Sequence, residues 1–122
     1  AEEALFPAPA RSTRSRLLGH LSDMLGDDGS ARKYFDDAVA ADPNDDDAWV
    51  YRWSWINDHD GPAAADKLID SERATTGDRS VRWRWADSVR AMERHRAHPA
   101  LAATTLAEHA SILDQNQNQH WA

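Results

Sequence analysis

The chain has 122 residues, enough for one domain that buries roughly two-thirds of the surface exposed on unfolding. It contains no cysteine, which excludes disulfides, thiolate catalysis and cysteine-ligated metal sites. No apolar run approaches the roughly 20 residues of a membrane-spanning helix, so we expect no membrane insertion. The first residue fits a cytoplasmic protein after removal of the initiator Met, or an exported protein after removal of a signal, so the compartment stays open.

Charge is unevenly distributed along the chain, whose net charge is −7. Residues 20–66 hold most of the acidic groups, whereas residues 67–100 have a basic excess. An acidic chain of this kind argues against nucleic acid as a partner. The opposite charges of the two parts would permit head-to-tail attraction between copies and growth into a ring or a filament. A solvated surface of mixed charge is the simpler explanation.

The two ends of the chain have little apolar character. Residues 1–13 include two prolines and predict an extended N-terminal arm, in which Leu5 and Phe6 form one apolar patch. We expect this arm either to fray or to anchor through those two residues on the domain or on a neighbouring copy. Residues 115–122 are rich in amide side chains and predict a polar C-terminal tail. A helical domain over residues 14–114 lies between them.

Two amphipathic helices are predicted between residues 17 and 43, because apolar residues recur there at spacings of three and four. A short loop from Gly26 to Ser30 would end the first helix with glycine and cap the second with serine. Pro43 prevents simple continuation, so the pair should form an antiparallel hairpin. The expected inward residues are Leu17, Leu18, Leu21, Met24 and Leu25 in the first helix, and Ala31, Phe35, Ala38 and Val39 in the second.

The order Leu18-Gly19, Ala31, Phe35, Ala38 and Pro43 resembles the pattern of the tetratricopeptide repeat. Small residues at Gly19 and Ala31 would let the paired helices approach, and Phe35 would fill the gap between them. The resemblance implies an all-α fold, a right-handed solenoid of three helical hairpins. The first repeat carries the pattern clearly and the later repeats are degenerate.

Four further helices are predicted beyond Pro43. Asn44 would cap the third, Pro62 would start the fourth, and Pro99 would start the sixth. The spacing of 34 residues between Ser15, Trp49 and Trp83 agrees with a repeat of hairpins. The expected inward stripes are Trp49, Trp53 and Ile56 in the third helix, Ala64, Ala65, Leu68 and Ile69 in the fourth, and Val81, Trp85, Val89 and Met92 in the fifth.

Six tryptophans are the most unusual feature of the sequence, and most of them should lie in the core. Residues two apart on a helix point about 200° apart. We therefore expect one ring of Trp53 and Trp55, and one of Trp83 and Trp85, to face a groove, the next repeat or a partner. Neighbouring arginines would stack on such rings and suit recognition of a carboxylate or another protein.

The resemblance also implies a concave groove lined by the first helix of each hairpin, where family members bind their ligands. Carried onto this chain, the groove would present Arg16, His20 and Asp23, then Val50, Ser54 and Asn57, then Arg84 and Ser88. The predicted partner-binding residues are Arg16, His20, Trp53, Trp55, Asn57, Arg82, Arg84 and Trp85.

The sequence therefore predicts a non-catalytic protein–protein interaction or assembly module without a cofactor, whose partner is another protein or further copies of itself. The alternative is a small-ligand binder that holds a sugar or an aromatic compound against exposed tryptophans. No phosphate-binding glycine loop, nucleophile elbow or opposed acid–base pair predicts an enzyme. His95, His98 and His109 would supply too few ligands for a metal site, so we expect surface histidines.

Overall fold

The computed structural model describes residues 7–78, 80–96, 100, 103–104, 107–110 and 114. This part of the chain is helical and contains no strand, which confirms the all-α prediction. Residues 100, 103–104, 107–110 and 114 are also helical, and they follow five helices whose bounds are fully described. Those five are α1 (Ala8–Met24), α2 (Asp28–Ala41), α3 (Asp46–His59), α4 (Pro62–Thr76) and α5 (Val81–Arg94).

The chain divides into two compact units. Unit 1 runs over Ala1–Trp55 and unit 2 over Ile56–Ala122, so the boundary lies inside α3. Unit 1 contains α1, α2 and most of α3, and unit 2 contains the end of α3 and the later helices. None of the described helices combines the length and the apolar composition that crossing a membrane requires.

Helix α1 starts earlier than expected, so the prediction of an extended arm is wrong from residue 8 onward. Pro7 is its N-cap in an extended conformation, and a second proline, Pro9, lies in the first turn. Proline is well tolerated there because the first N–H groups of a helix have no partner within it. Residues 1–6, with the predicted anchors Leu5 and Phe6, lie outside the described residues, as does the predicted tail at 115–122.

Helix α1 packs on α2 through small side chains. A Cβ atom added to Gly19 would lie 3.0 Å from Cε1 of Phe35, so the absent side chain makes room for the aromatic ring. The predicted orientation of α1 is therefore wrong. The face of α1 that packs on the Phe35 ring carries its smallest side chains, and the predicted inward residues Leu17 and Leu21 are exposed. The buried residues are Ser12, Ser15 and Gly19 in α1 and Ala31, Phe35 and Ala38 in α2.

The turn between α1 and α2 has a different cap from the one predicted. The Asp27 carboxylate accepts a hydrogen bond from the Ser30 N–H at 3.1 Å, so Asp27 and not Ser30 is the N-cap of α2. Gly26 has φ of 77°, which a residue with a Cβ adopts only at a cost. An aspartate cap and a left-handed glycine together reverse the chain in three residues.

Helix α3 packs on α1 within unit 1. Ser12 Oγ donates to Asp45 Oδ2 at 2.8 Å just before α3, and the Trp55 indole N–H donates to Asp23 Oδ1 at 3.0 Å near the other end of the contact. The partners are separated by 33 and 32 residues. Because the separation in sequence stays nearly constant along the contact, α1 and α3 run parallel. This separation is close to the predicted repeat length of 34 residues.

Helices α4 and α5 pair within unit 2. Arg82 pairs with Glu72 near the connecting loop, and Arg90 donates to Asp66 at 2.9 Å further from it. The sequence separation grows from 10 to 24 residues with distance from the loop, which defines an antiparallel hairpin. A third contact, from Asn57 Nδ2 to Glu93 Oε1 at 3.0 Å, joins the last turn of α3 to α5 across 36 residues.

The inward face of α5 is not the predicted one. Trp83, Ala86 and Ala91 are buried, whereas Trp85 and Met92 are exposed. The arginines that pair with α4 lie on the same side as Trp83, and the Trp83 indole N–H donates to the Gly77 carbonyl at 2.7 Å. These polar contacts hold Trp83 on the buried side of α5. The predicted inward stripe, which includes Trp85 and Met92, therefore lies on a more exposed side of the helix. In α3, by contrast, Trp49, Trp53 and Ile56 are buried as predicted.

Candidate interaction site

Two of the predicted partner-binding residues meet on the surface of unit 1. The guanidinium carbon of Arg16 lies 4.8 Å from the centre of the Tyr51 ring, and the His20 ring meets Tyr51 edge to face at 4.8 Å. His20 also meets Phe35 edge to face at 5.2 Å. Tyr51 is 38% exposed. We refer to Arg16, His20 and Tyr51 as the Tyr51 cluster.

Positive charge in the Tyr51 cluster resides on Arg16. Burial lowers the pKa of His20 from its ordinary value, the nearby Arg16 charge lowers it further, and Asp23 opposes the shift. The neutral imidazole is therefore favoured, whereas a guanidinium keeps its charge. The Arg16 Nε atom is buried and has no hydrogen-bond partner among the described residues.

Trp53 and Trp55 belong to the core and are not open to a partner in this conformation. Their exposed fractions are 1% and 5%. The Trp55 ring lies 6.1 Å from that of Phe35, and the Arg32 guanidinium stacks over it at 4.8 Å. Trp55 thus packs against the preceding hairpin, whereas the sequence predicted that one ring of the pair would face a groove, the next repeat or a partner. Burial of Trp53 as well leaves neither ring for recognition.

Arg84 occupies a comparable environment in unit 2. Its guanidinium stacks over Trp83 at 4.7 Å, and Nη1 lies 2.8 Å from Nδ1 of His109. Because arginine only donates, Nδ1 accepts, and Nε2 then donates to Asp87 Oδ2 at 2.8 Å. Arg84 Nε is also buried without a hydrogen-bond partner among the described residues.

Of the remaining predicted partner-binding residues, Arg82 and Asn57 bind acidic side chains of the chain itself, and Trp85 is exposed. The Arg82 and Glu72 side chains pair at 11% exposure each, so this contact holds α4 and α5 together. Asn57 is partly exposed and bound to Glu93. Trp85 is 37% exposed and is the one described tryptophan with substantial open surface.

Sequence reasoning missed Tyr51 and misplaced His109. Tyr51 lies four residues before Trp55, so both lie on one side of α3. This spacing is the sequence signal that could have identified Tyr51. His109 is buried, which corrects the prediction of a surface histidine, because Arg84 and Asp87 use both of its ring nitrogens. His95 is partly exposed, and His98 lies outside the described residues.

A scan against models of protein families, a search of curated proteins and a search of solved structures found no match.

Proposed function

We propose that the protein is a non-catalytic protein-interaction module, built as a right-handed solenoid of three tetratricopeptide-like hairpins. The contacts that support this architecture join helices across 32, 33 and 36 residues, close to the spacing predicted from the sequence. A repeated hairpin presents equivalent positions of successive helices, and such positions suit recognition of an extended partner.

The observation that carries the proposal is a pair of arginines at equivalent positions. Arg16 and Arg84 are 68 residues apart, twice the period of 34. Each stacks on an aromatic ring, and each has a buried Nε without a hydrogen-bond partner in the described part of the chain. An unsatisfied buried donor is costly, by about 1–3 kcal/mol, so a shift of the side chain that brings Nε to an acceptor of the partner would recover that cost.

The partner chemistry that fits is a carboxylate on a protein segment. A guanidinium offers two parallel N–H donors to a carboxylate, and stacking on a ring fixes its plane in advance. Beside Arg16, the open part of Tyr51 would pack against an apolar group next to the carboxylate. The Tyr51 cluster is therefore the proposed anchor in unit 1.

Fluorescence anisotropy with labelled peptides tests this function. A peptide that ends in acidic residues with a free carboxyl terminus should bind, and its amidated, amide-substituted counterpart should not. Arg16→Ala should weaken binding about tenfold or more, since a charge-assisted hydrogen bond contributes roughly 1.5–3 kcal/mol. Arg52→Ala, which removes a partly buried arginine paired with Asp36, is the matched control. Equal binding of both peptides, or equal losses in both variants, would refute the proposal.

The small-ligand alternative has less support. It needs exposed tryptophan rings, whereas Trp49, Trp53, Trp55 and Trp83 are buried. Only Trp85 among the described tryptophans offers an open ring, and a single ring lacks the convergent polar groups of a ligand pocket.

A further inference from the structure

Arg84 already has an acceptor from its own chain. Its Nη1 atom lies 2.8 Å from Nδ1 of His109, which belongs to the helical residues 107–110. The His109 ring also meets the Trp83 ring edge to face at 5.9 Å, and the Arg84 guanidinium stacks over Trp83 at 4.7 Å. His109 is 6% exposed. The imidazole therefore takes one of the guanidinium donors that a carboxylate of a partner would use.

An acidic side chain of α5 fixes this imidazole in place. His109 Nε2 donates to Asp87 Oδ2 at 2.8 Å, and the other oxygen of Asp87 lies 3.7 Å from Nη2 of Arg94. Arg84 and Asp87 are three residues apart, so both lie on one side of α5. Together they engage both ring nitrogens of His109. We call Arg84, His109 and Asp87 the His109 bridge.

The first hairpin has no counterpart of the residues that engage the arginine of unit 2. Two repeat periods, or 68 residues, before His109 and Asp87 the sequence has Ala41 and Gly19. Neither alanine nor glycine has a side-chain donor or acceptor, so no equivalent bridge forms at Arg16. The two arginines thus share an aromatic ring beneath the guanidinium and a buried, unsatisfied Nε, but only one of them is engaged by a bridge.

We propose that the His109 bridge closes the unit 2 copy of the carboxylate site, so that a carboxylate-bearing protein segment binds at Arg16 and a second one binds at Arg84 only when His109 is displaced. This inference rests on the proposed function, because it describes regulation of the same kind of site. Arg84 Nε is buried, so the guanidinium has to shift to bring it to an acceptor of a partner. The contact of Nη1 with His109 opposes that shift.

Competition between the imidazole and a carboxylate sets the affinity of the closed site. The imidazole accepts one hydrogen bond from the guanidinium, whereas a carboxylate accepts two and carries the opposite charge. Displacement of His109 nevertheless breaks its hydrogen bond to Asp87 and its edge contact with Trp83. One net hydrogen bond changes an equilibrium by roughly tenfold. The closed site should therefore be weaker than the open one by about that factor or more.

Peptide binding by a chain without Arg16 measures the unit 2 site alone. The probe is the labelled peptide with an acidic end and a free carboxyl terminus, followed by fluorescence anisotropy. The Arg16→Ala chain should bind it weakly. Adding His109→Phe, which keeps a ring against Trp83 and removes the acceptor, should tighten binding by about tenfold. A further Arg84→Ala should abolish the gain. His95→Phe, the same change at a partly exposed histidine just after α5, is the matched control and should give no gain.

Asp87→Asn provides a second test that leaves His109 itself unchanged. An amide oxygen accepts the imidazole N–H more weakly than a carboxylate does, so this variant should show a gain in the same direction, but a smaller one. In a chain that retains Arg16, His109→Phe should raise the number of bound peptides from one to two. Circular dichroism should show equal helix content in every variant, and if His109→Phe loses helix, Asp87→Asn decides.

Three results would overturn the proposal: two peptides bound with similar affinity by the unmodified chain, no gain from either bridge variant, or an equal gain from His95→Phe. If the unmodified chain binds one peptide through Arg16 and the bridge variants bind no more, carboxylate recognition stands and only the closure is refuted. If neither the unmodified chain nor the His109→Phe chain binds the peptide, the proposed function itself fails, and the closure fails with it.

Discussion

At the scale of single residues, the most demanding contact is that between Gly19 and Phe35. Gly19 lies in the interior of α1, where glycine costs about 1 kcal/mol relative to alanine. The helix accepts this cost because Phe35 ring atoms lie only 3.0 to 3.1 Å from where a Cβ would be. A buried ring of that size has little room to move in a close-packed core.

Gly19→Ala should therefore lower the free energy of unfolding by about 1 kcal/mol, because overpacking outweighs the gain in helix propensity. In a Phe35→Leu background the same change should be neutral or stabilising, which urea denaturation of the double-mutant cycle would measure. Gly29→Ala is the control, because its nearest neighbour is an Asp27 oxygen at 3.9 Å. A stabilising Gly19→Ala in the unmodified background would contradict this packing.

The pair of Arg82 and Glu72 should behave as a structural contact and not as a binding site. Breaking a buried ion pair leaves a charge uncompensated, so Arg82→Ala should cost about 3–5 kcal/mol in unfolding free energy. Joint replacement by Arg82→Met and Glu72→Leu should recover most of the loss. Arg73→Ala, whose partner Asp78 is 69% exposed, should cost less than about 1 kcal/mol. Similar losses for Arg82 and Arg73 would argue against a buried pair.

His20 should make stability depend on pH. Its pKa is lowered in the folded chain, so below the ordinary value of 6.5 the unfolded chain binds more protons. The contribution of His20 is therefore complete above that value and is lost as the pH falls through the folded pKa. His20→Gln should reduce the drop in urea midpoint between about pH 7.5 and about pH 5. His95→Gln, at a partly exposed histidine just after α5, is the control, and an unchanged drop in His20→Gln would be the contrary result.

At the scale of helices, the positions of the elements follow from sequence but their orientations follow only in part. Proline and glycine bound the helices close to where the pattern predicts, since α4 begins at Pro62 and has Gly77 as its C-cap. The inward face was predicted well in α3 and wrongly in α1 and α5. Periodicity predicts that the most apolar face of a helix points inward. In α1 the inward face is instead the one with small side chains, which leaves space for Phe35 of α2. In α5 it is the face whose Arg82 and Arg90 pair with acidic residues of α4.

The N-cap of α2 provides a test at this scale. Asp27→Ala should lower the thermal midpoint because the Ser30 N–H loses its acceptor. Asp27→Asn should keep most of the stability, since asparagine caps equally well. The hydrogen bond from Ser30 lowers the pKa of Asp27, so its stabilisation is present above the ordinary pKa and is lost in acid. Equal midpoints for the alanine and asparagine variants would contradict the cap.

At the scale of the whole molecule, the period read from the sequence corresponds to physical contacts. Partners 32 to 36 residues apart link α1 to α3 and α3 to α5. The candidate site was predicted in part: Arg16 and His20 do meet on a surface, but the aromatic residue between them is Tyr51. One ring of Trp53 and Trp55 was expected to face a groove, the next repeat or a partner. Burial on both sides of α3 could not be inferred from one helix alone.

The central claim is that α1 buries its small residues and exposes its leucines, since the packing of the hairpin depends on it. The chain has no cysteine, so thiol labelling of the single variants Ser15→Cys and Leu17→Cys tests this orientation directly. The Leu17→Cys thiol should react nearly as fast as in the denatured chain, and the Ser15→Cys thiol should be strongly protected. Protection of Leu17→Cys with rapid labelling of Ser15→Cys would contradict the account.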